Sequence, residues 1–264
     1  VSSKGYASAT ILSFKEHTWV KWIVLPSVIA MTVFLLKALS PGEIKSNLAR
    51  QYKIFGKKHT WVMTLIYTMT FGSFIGFAAA VGLSIKFIFG VKHIQNAAGA
   101  WEHLPNPDGP ATFMYVWVGA FIGALIRPVG GWLADKTGGA ILTQIVAVVM
   151  ALSSIGVGYF AKLAYQSETP QDYFIPFFVL IVILFTATGI GNGSTFRTIS
   201  MIFSEEQRGP VLGWTSAVAA YGAFLIPQMI GEQMKAGAPE IAMYGFAGFY
   251  ALCAILNWWY YLGP

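Results

Sequence analysis

The sequence contains few charged residues, and this scarcity excludes most classes of soluble protein. Of its 264 residues, 11% are Asp, Glu, Lys or Arg and 56% are hydrophobic. A soluble domain carries about 25% charged residues, so most of this surface cannot face water. The composition excludes a cytoplasmic globular enzyme, a nucleic-acid-binding arm and a disordered tail. It predicts an integral membrane protein in contact with the lipid bilayer.

Cysteine and groups suited to catalysis are scarce as well. Cys253 is the single cysteine, which excludes an internal disulfide and a thiolate metal site. The sequence offers no acid pair, nucleophile–base set, metal-ligand constellation or phosphate-binding loop. We therefore expect no enzymatic activity, no catalytic residue, no metal site and no cofactor. No nucleic-acid partner is expected either, despite a net charge of +6.

Long charge-free runs predict about seven transmembrane helices and no separate soluble domain. A helix needs ~20 predominantly apolar residues to cross ~30 Å of hydrocarbon, and each run, with its flanking residues, suits one helix. The predicted spans are Trp22–Leu36, Thr60–Ile85, Gly109–Ile126, Thr137–Ala161, Tyr173–Phe196, Gly209–Gly231 and Ile241–Pro264. The fold class is thus an all-α integral membrane bundle.

Lysine and arginine in the short loops predict the orientation of these helices. Segment 40–59 contains five basic residues and one acid, and such loops are usually cytoplasmic. Alternation then places Val91–Asp108 and the N-terminus outside.

An odd number of helices and a start at Val1 rather than methionine suggest one half of a larger carrier, because transporters are often built from two repeated halves. We expect residues 1–39 to hold an external tail and the last helix of the N-terminal half. Residues 40–59 would be the central cytoplasmic loop, and residues 60–264 the C-terminal six-helix half. The missing N-terminal half would be a partner. The alternative is a complete seven-helix receptor or sensor.

A glycine-rich segment between the third and fourth predicted spans resembles the cytoplasmic loop signature of the major facilitator superfamily. Its residues are Gly131-x-Leu133-Ala134-Asp135-Lys136-x-Gly138. Glycines let two helices turn sharply and pack closely, and a helix N-terminus or a basic side chain can hold Asp135. We predict a gating loop that uses Gly131, Asp135, Lys136 and Gly138. The alternative is a polar turn.

Two arginines are the clearly intramembrane charges, whereas all 11 acids lie in loops or at helix ends. Arg127 and Arg197 each continue a stripe of glycines at four-residue spacing. A charge within the bilayer costs several kcal/mol unless it is paired or hydrated. Two guanidiniums at similar depth, without a carboxylate, predict a site for a small planar oxyanion. The alternative is that each snorkels to the headgroups.

Three motifs, in this order and on these helices, resemble the nitrate/nitrite porters (NarK-type) of the major facilitator superfamily. They are Phe71-Gly72-Ser73-Phe74-Ile75-Gly76-Phe77, Gly123-Ala124-Leu125-Ile126-Arg127-Pro128 and Gly191-Asn192-Gly193-Ser194-Thr195-Phe196. A looser match is Gly213-Trp214-Thr215-Ser216-Ala217. The likeness covers roughly residues 60–231. Tyr67, Phe71 and Phe74 share one helical face, although such spacing is equally typical of core or lipid-facing aromatics.

The resemblance implies a twelve-helix carrier that binds nitrate or nitrite between its halves, with one arginine from each half and aromatic rings around the anion. It implies that Arg127 is the arginine of this half, that Tyr67 donates a hydrogen bond and that Phe196 stacks on the anion. Gly213 would leave room beside it. The helix-packing signature would comprise Gly189, Gly191, Asn192, Gly193 and Ser194. Arg197 stands where some members of the family have a glutamine. It would be either a second-shell cation near the anion or a residue that lines the cytoplasmic exit.

The resulting hypothesis is nitrate/nitrite exchange by alternating access, because proton relays typically use Asp, Glu or His and the spans lack them. A proton-coupled nitrate symporter and a carrier for another solute are the alternatives within this superfamily. The resemblance also implies a bacterial inner membrane and a monomeric working unit.

Overall fold

A computed structural model describes residues 51–95, 99 and 101–263, together with several positions between 27 and 38. Contacts divide the chain into two units, Val1–Lys53 and Ile54–Pro264. The candidate site and the helices that support it belong to the second unit. The first predicted span, Trp22–Leu36, lies largely outside the described residues, as does the stretch 40–50 of the predicted central loop.

Six helices in the described part of the chain are long and apolar enough to cross a membrane. After a 3-10 turn at Tyr52–Gly56, they are α1 Lys58–Phe89, α2 Thr112–Thr137, α3 Gly139–Tyr165, α4 Pro170–Ile202, α5 Glu205–Lys235 and α6 Pro239–Leu262. They correspond to the last six of the seven predicted spans. The prediction of a helical membrane bundle is confirmed.

A β-hairpin between α1 and α2 departs from the expected all-helical fold. Strand β1, Val91–Gln95, pairs antiparallel with β2, Trp101–Pro105. Tertiary contacts anchor the hairpin to the end of α1. Asn106 Nδ2 donates to the Phe89 carbonyl oxygen at 2.9 Å, and the Asn106 backbone N–H donates to the Gly90 carbonyl oxygen at 3.1 Å. Such contacts join residues distant in sequence, so the local pattern does not reveal them.

The apolar core lies between α1, α3, α4 and α6, and polar bonds across it fix the helices in register. Its largest fully buried side chains include Phe77, Phe177, Phe185, Met150 and Tyr250. Thr143 Oγ1 of α3 lies 2.8 Å from Ser194 Oγ of α4. Ser154 Oγ of α3 donates to the Met243 carbonyl oxygen of α6 at 2.9 Å. Each bond satisfies a hydroxyl that would be costly to bury alone.

Three helices are interrupted part-way along their length. A π turn, Thr68–Gly72, lies within α1. Helix α2 contains the shorter helices Thr112–Tyr115, Val118–Leu125 and Arg127–Thr137, and α5 contains Glu205–Ala220 and Gly222–Lys235. The interruptions of α1 and α5 lie against each other. The contact is so close that a Cβ at Gly222 would overlap the backbone of Gly72.

The segment predicted to be a gating loop is largely helical, so the prediction of a loop conformation is wrong, whereas its gating role stays a prediction. Gly131, Asp135 and Lys136 lie inside Arg127–Thr137, and only Gly138, with φ +89°, separates α2 from α3. The physical reason is local. Pro128 suits the first turn of a helix, residues such as Leu, Ala and Lys favour its interior, and a glycine with positive φ ends it.

Candidate functional site

An open cavity of about 540 Å³ is lined by residues of α1, α2, α4 and α5. Its lining comprises Tyr67, Phe71, Arg127, Pro128, Asn192, Gly193, Phe196 and Ser216. Three predicted substrate-binding residues therefore lie together here, namely Tyr67, Arg127 and Phe196. Asn192 and Gly193, which were predicted to pack helices, line the same cavity.

The Arg127 guanidinium is held by aromatic rings rather than by a carboxylate. Its carbon lies 4.0 Å from the centre of the Phe74 ring and 5.7 Å from that of Phe71. Its Nε is buried without a hydrogen-bond partner, and Arg127 forms no ion pair with any described acid. Cation–π contact holds the charge in place. Because Phe74 covers one face, the donors along the guanidinium edge are left for a planar ligand.

Tyr67 connects the aromatic residues of the cavity. Its ring stacks on Phe71 at 5.3 Å and meets Phe196 edge-on at 5.4 Å. Tyr67 is almost completely buried, whereas Phe196 is 41% exposed. Ser216 of α5 lines the same cavity as Tyr67. The π turn begins directly after Tyr67, and such turns are frequent at functional sites.

Glycines of α4 bring its backbone against that of α2. A Cβ at Gly189 would overlap the Gly123 carbonyl oxygen, and a Cβ at Gly193 would overlap the Arg127 carbonyl oxygen. Small residues permit this close approach in membrane helices. The contact places the cavity-lining turn of α4 directly beside Arg127.

The rest of the predicted packing signature faces three different elements. A Cβ at Gly191 would come 2.6 Å from the Thr70 methyl group of α1. Ser194 contacts Thr143 of α3, and Asn192 faces the cavity. Helix α4 therefore contacts its neighbours on several sides at the level of the site.

Arg197 does not line the cavity, and the expectation that neither arginine has a carboxylate is wrong for this residue. Its Nε forms an ion pair with Asp135 Oδ1 of α2. Asp135 lies eight residues after Arg127, about 12 Å further along the helix. Both side chains of the pair are half-exposed. Among the described arginines, Arg127 alone contributes to the cavity lining.

Two other predicted site residues lie apart from the cavity lining. A Cβ at Gly213 would meet no atom within 4 Å. Lys136 Nζ lies 4.0 Å from the centre of the Trp132 ring on the same helix. Neither residue is part of the described lining.

Sequence reasoning did not assign Phe71, Phe74 and Ser216 to the site. The first two share a helical face with Tyr67, so their spacing was a usable signal, although it is equally typical of core aromatics. Ser216 carries no such signal, since its position follows from the packing of α5 against α1.

Comparison with known proteins connects this geometry to a family, although no protein-family model matches the chain. The chain is 38% identical over 258 residues to the probable nitrate/nitrite antiporter NarK2 of Thermus thermophilus, which covers 97% of the chain and 53% of that protein. It is 30% identical over 286 residues to the nitrate/nitrite transporter NarU of Escherichia coli, and the alignment covers 99% of the chain and 56% of NarU. The nitrite extrusion protein of Bacillus subtilis is 26% identical over 216 residues, and the alignment covers 81% of the chain and 48% of that protein.

The chain thus spans about half the length of the curated relatives it matches. Their names are those of carriers rather than enzymes, in agreement with the prediction that the chain is not an enzyme. On the strength of these similarities and its six membrane-length helices, the chain belongs to the nitrate/nitrite porter (NarK-type) family of the major facilitator superfamily.

Proposed function

We propose that this chain is the C-terminal half of a nitrate/nitrite carrier of a bacterial inner membrane and contributes the anion site around Arg127. One observation carries the proposal: a guanidinium without a carboxylate partner lies in a cavity walled by aromatic rings. The identity of the anion, nitrate or nitrite, is taken from the names of the relatives. The second half would supply the opposite wall, and a monomer would be the working unit.

The chemistry of the cavity suits a small planar anion. A guanidinium edge offers two parallel N–H donors that match two oxygens of nitrate or nitrite. The neighbouring rings of Tyr67, Phe71 and Phe196 present flat surfaces for a flat ion. A sugar needs many neutral hydrogen-bonding groups, and this cavity offers few.

Exchange of one anion for another fits the groups that are present. The described lining contains no Asp, Glu or His, which are the usual carriers of a coupled proton. The binding of nitrate or nitrite in turn would then drive the cycle between outward and inward states, as alternating access requires.

The proposed orientation places the Lys136 end of α2 in the cytoplasm. Lys57 Nζ, just before α1, donates to Gln207 Oε1 near the start of α5 at 2.5 Å, so these basic ends lie on one side of the bundle. The Asp135–Arg197 ion pair joins α2 to α4 towards the same side. We assign this pair, with Gly131, Lys136 and Gly138, to the cytoplasmic gate.

The test uses the whole transporter that contains this chain, reconstituted in nitrite-loaded vesicles. We expect nitrate uptake that needs internal nitrite and does not respond to a pH gradient. Arg127→Ala should reduce nitrate affinity at least about 100-fold, since each hydrogen bond to a charged group is worth about 1.5–3 kcal/mol. Arg208→Ala is the matched control, because Arg208 lies at the start of α5 and donates to the Phe203 carbonyl oxygen.

Two results would contradict the proposal. Unchanged affinity in Arg127→Ala would remove Arg127 from the site. Uptake that needs only a proton gradient would replace exchange by proton symport.

A further inference from the structure

One polar group of the cavity has no role in the site as described so far. Asn192 is 4% exposed and lines the cavity, although its motif predicted only helix packing. Resting on the proposed function, we infer that Asn192 is a specificity residue. Its amide nitrogen donates a hydrogen bond to the third oxygen of nitrate, an atom that nitrite does not have.

The two ends of the Asn192 amide have different surroundings. Its Oδ1 is buried without a hydrogen-bond partner. Its Nδ2 is not fully buried and forms no hydrogen bond with any described residue, and Asn192 lines the cavity. The amide therefore presents a donor to the cavity. A carbonyl oxygen in that place would repel an anion.

The backbone of α4 fixes the position of this amide. On one side, a Cβ at Gly191 would come 2.6 Å from the Thr70 methyl group of α1. On the other, Gly193 lies against the backbone of α2, where a Cβ would come 2.6 Å from the Gly131 nitrogen. Neither contact leaves α4 free to turn Asn192 away from the cavity. A donor fixed in advance costs little ordering when the ligand binds.

The count of donors assigns Asn192 to the third oxygen. The edge of the Arg127 guanidinium satisfies two oxygens of either anion. Asn192 carries the one side-chain amide of the described lining, and its Nδ2 has two N–H donors. Nitrate has one further oxygen to accept its bond. Nitrite has only a nitrogen lone pair in that place, closer to the guanidinium and a poorer acceptor.

The test compares the two anions in the whole transporter that contains this chain. Self-exchange of isotope-labelled nitrate and, separately, of labelled nitrite gives a KM for each. Asn192→Leu, which has a similar volume and no donor, should raise the nitrate KM about ten-fold, as expected for one lost hydrogen bond to a charged group. The nitrite KM should change less than two-fold. Asn192→Ala, which also lacks the donor but is smaller, should give the same separation if the leucine variant does not fold.

Asn257→Leu is the matched control for a purely structural effect. Asn257 is also a buried asparagine with an unpartnered Oδ1, but its Nδ2 donates to Ala140 and Gln144 of α3, outside the cavity lining. Its substitution should lower the amount of folded protein without changing the ratio of the two KM values. Equal changes of both KM values in the Asn192 variants would overturn the inference. Failure of the unaltered protein to move either anion would instead overturn the proposed function.

Discussion

Helices α3 and α6 differ from α2 and α5 in their continuity and in how much of their surface is buried within this chain. In α3 and α6, 44% of the most apolar 18-residue stretch is buried, against 17% in α2 and 28% in α5. Helix α3 runs without interruption from Gly139 to Tyr165 and is bonded to α6 through Ser154 and Asn257. Helices α2 and α5 are interrupted and carry Arg127 and Ser216 of the cavity. The interrupted pair thus carries Arg127 and Ser216 of the site, and the continuous pair lies outside the cavity lining.

Helix α4 joins these two regions, because it packs on α2 through glycines and on α3 through Ser194. Disturbing its contact with α2 should therefore have the largest effect. In Gly193→Val, the new side chain would overlap backbone atoms of Arg127 and Gly131, which cannot move as a flexible side chain can. Overpacking usually costs about 1–3 kcal/mol, and more when backbone must shift. We expect little or no monodisperse protein on size-exclusion chromatography in detergent.

Gly245→Val is the control for this change. Gly245 lies within helix α6, and a Cβ there would meet no atom within 4 Å. Normal elution of Gly193→Val beside Gly245→Val would show that the contact between α2 and α4 is not a constraint on the fold.

A smaller effect is expected within the continuous pair. Ser154→Ala removes the hydroxyl that donates to the Met243 carbonyl oxygen, and a buried neutral hydrogen bond contributes about 1 kcal/mol. The free energy of unfolding in a denaturant titration should fall by this amount, while the nitrate KM stays unchanged. Ser200→Ala, whose hydroxyl bonds only within its own helix, should change stability by less. A shifted nitrate KM in Ser154→Ala would show that the continuous pair and the site are not separable.

The smallest expected effect is a loss of stability in acid that arises from His93 in the hairpin. His93 is buried, its Nε2 lies 3.1 Å from the Ile88 carbonyl oxygen and its Nδ1 lies 3.0 Å from His103 Nδ1. Burial lowers the pKa of His93 and His103 lowers it further, while the Ile88 bond opposes both. The neutral imidazole is therefore favoured in the folded state. Its stabilisation is present above the ordinary pKa of about 6.5 and is lost as the pH falls below that value.

The check is the unfolding temperature between pH 7.5 and pH 5. It should fall more steeply for the unaltered protein than for His93→Gln, which cannot gain a proton. Parallel curves would show that the hairpin does not respond to acid in this range.

The sequence predicts elements better than the contacts between them. Charge-free runs predict six of the described helices, and the resemblance to the nitrate/nitrite porters implies that Arg127, Tyr67 and Phe196 share a site, as they share one cavity in the structure. The ion pair of Arg197 with Asp135 is not predictable in the same way, because it joins residues 62 positions apart through the packing of α4 on α2. The glycines at 130, 131, 138 and 139 predict a turn between two helices, but Gly131 lies within a helix and Gly138 is the residue of this segment whose positive φ ends it.

The ring of Phe74 beneath Arg127 has an electrical consequence for the proposed carrier. An aromatic ring holds a cation without cancelling its charge, so the empty cavity of this half keeps one positive charge that a bound monovalent anion neutralises. A membrane potential exerts about 2.3 kcal/mol per elementary charge for each 100 mV. The empty and the loaded cavity therefore differ by one charge, and a membrane potential acts on the two passages differently. Exchange of one monovalent anion for another uses only loaded passages, so the charge movements of its two steps cancel over a cycle.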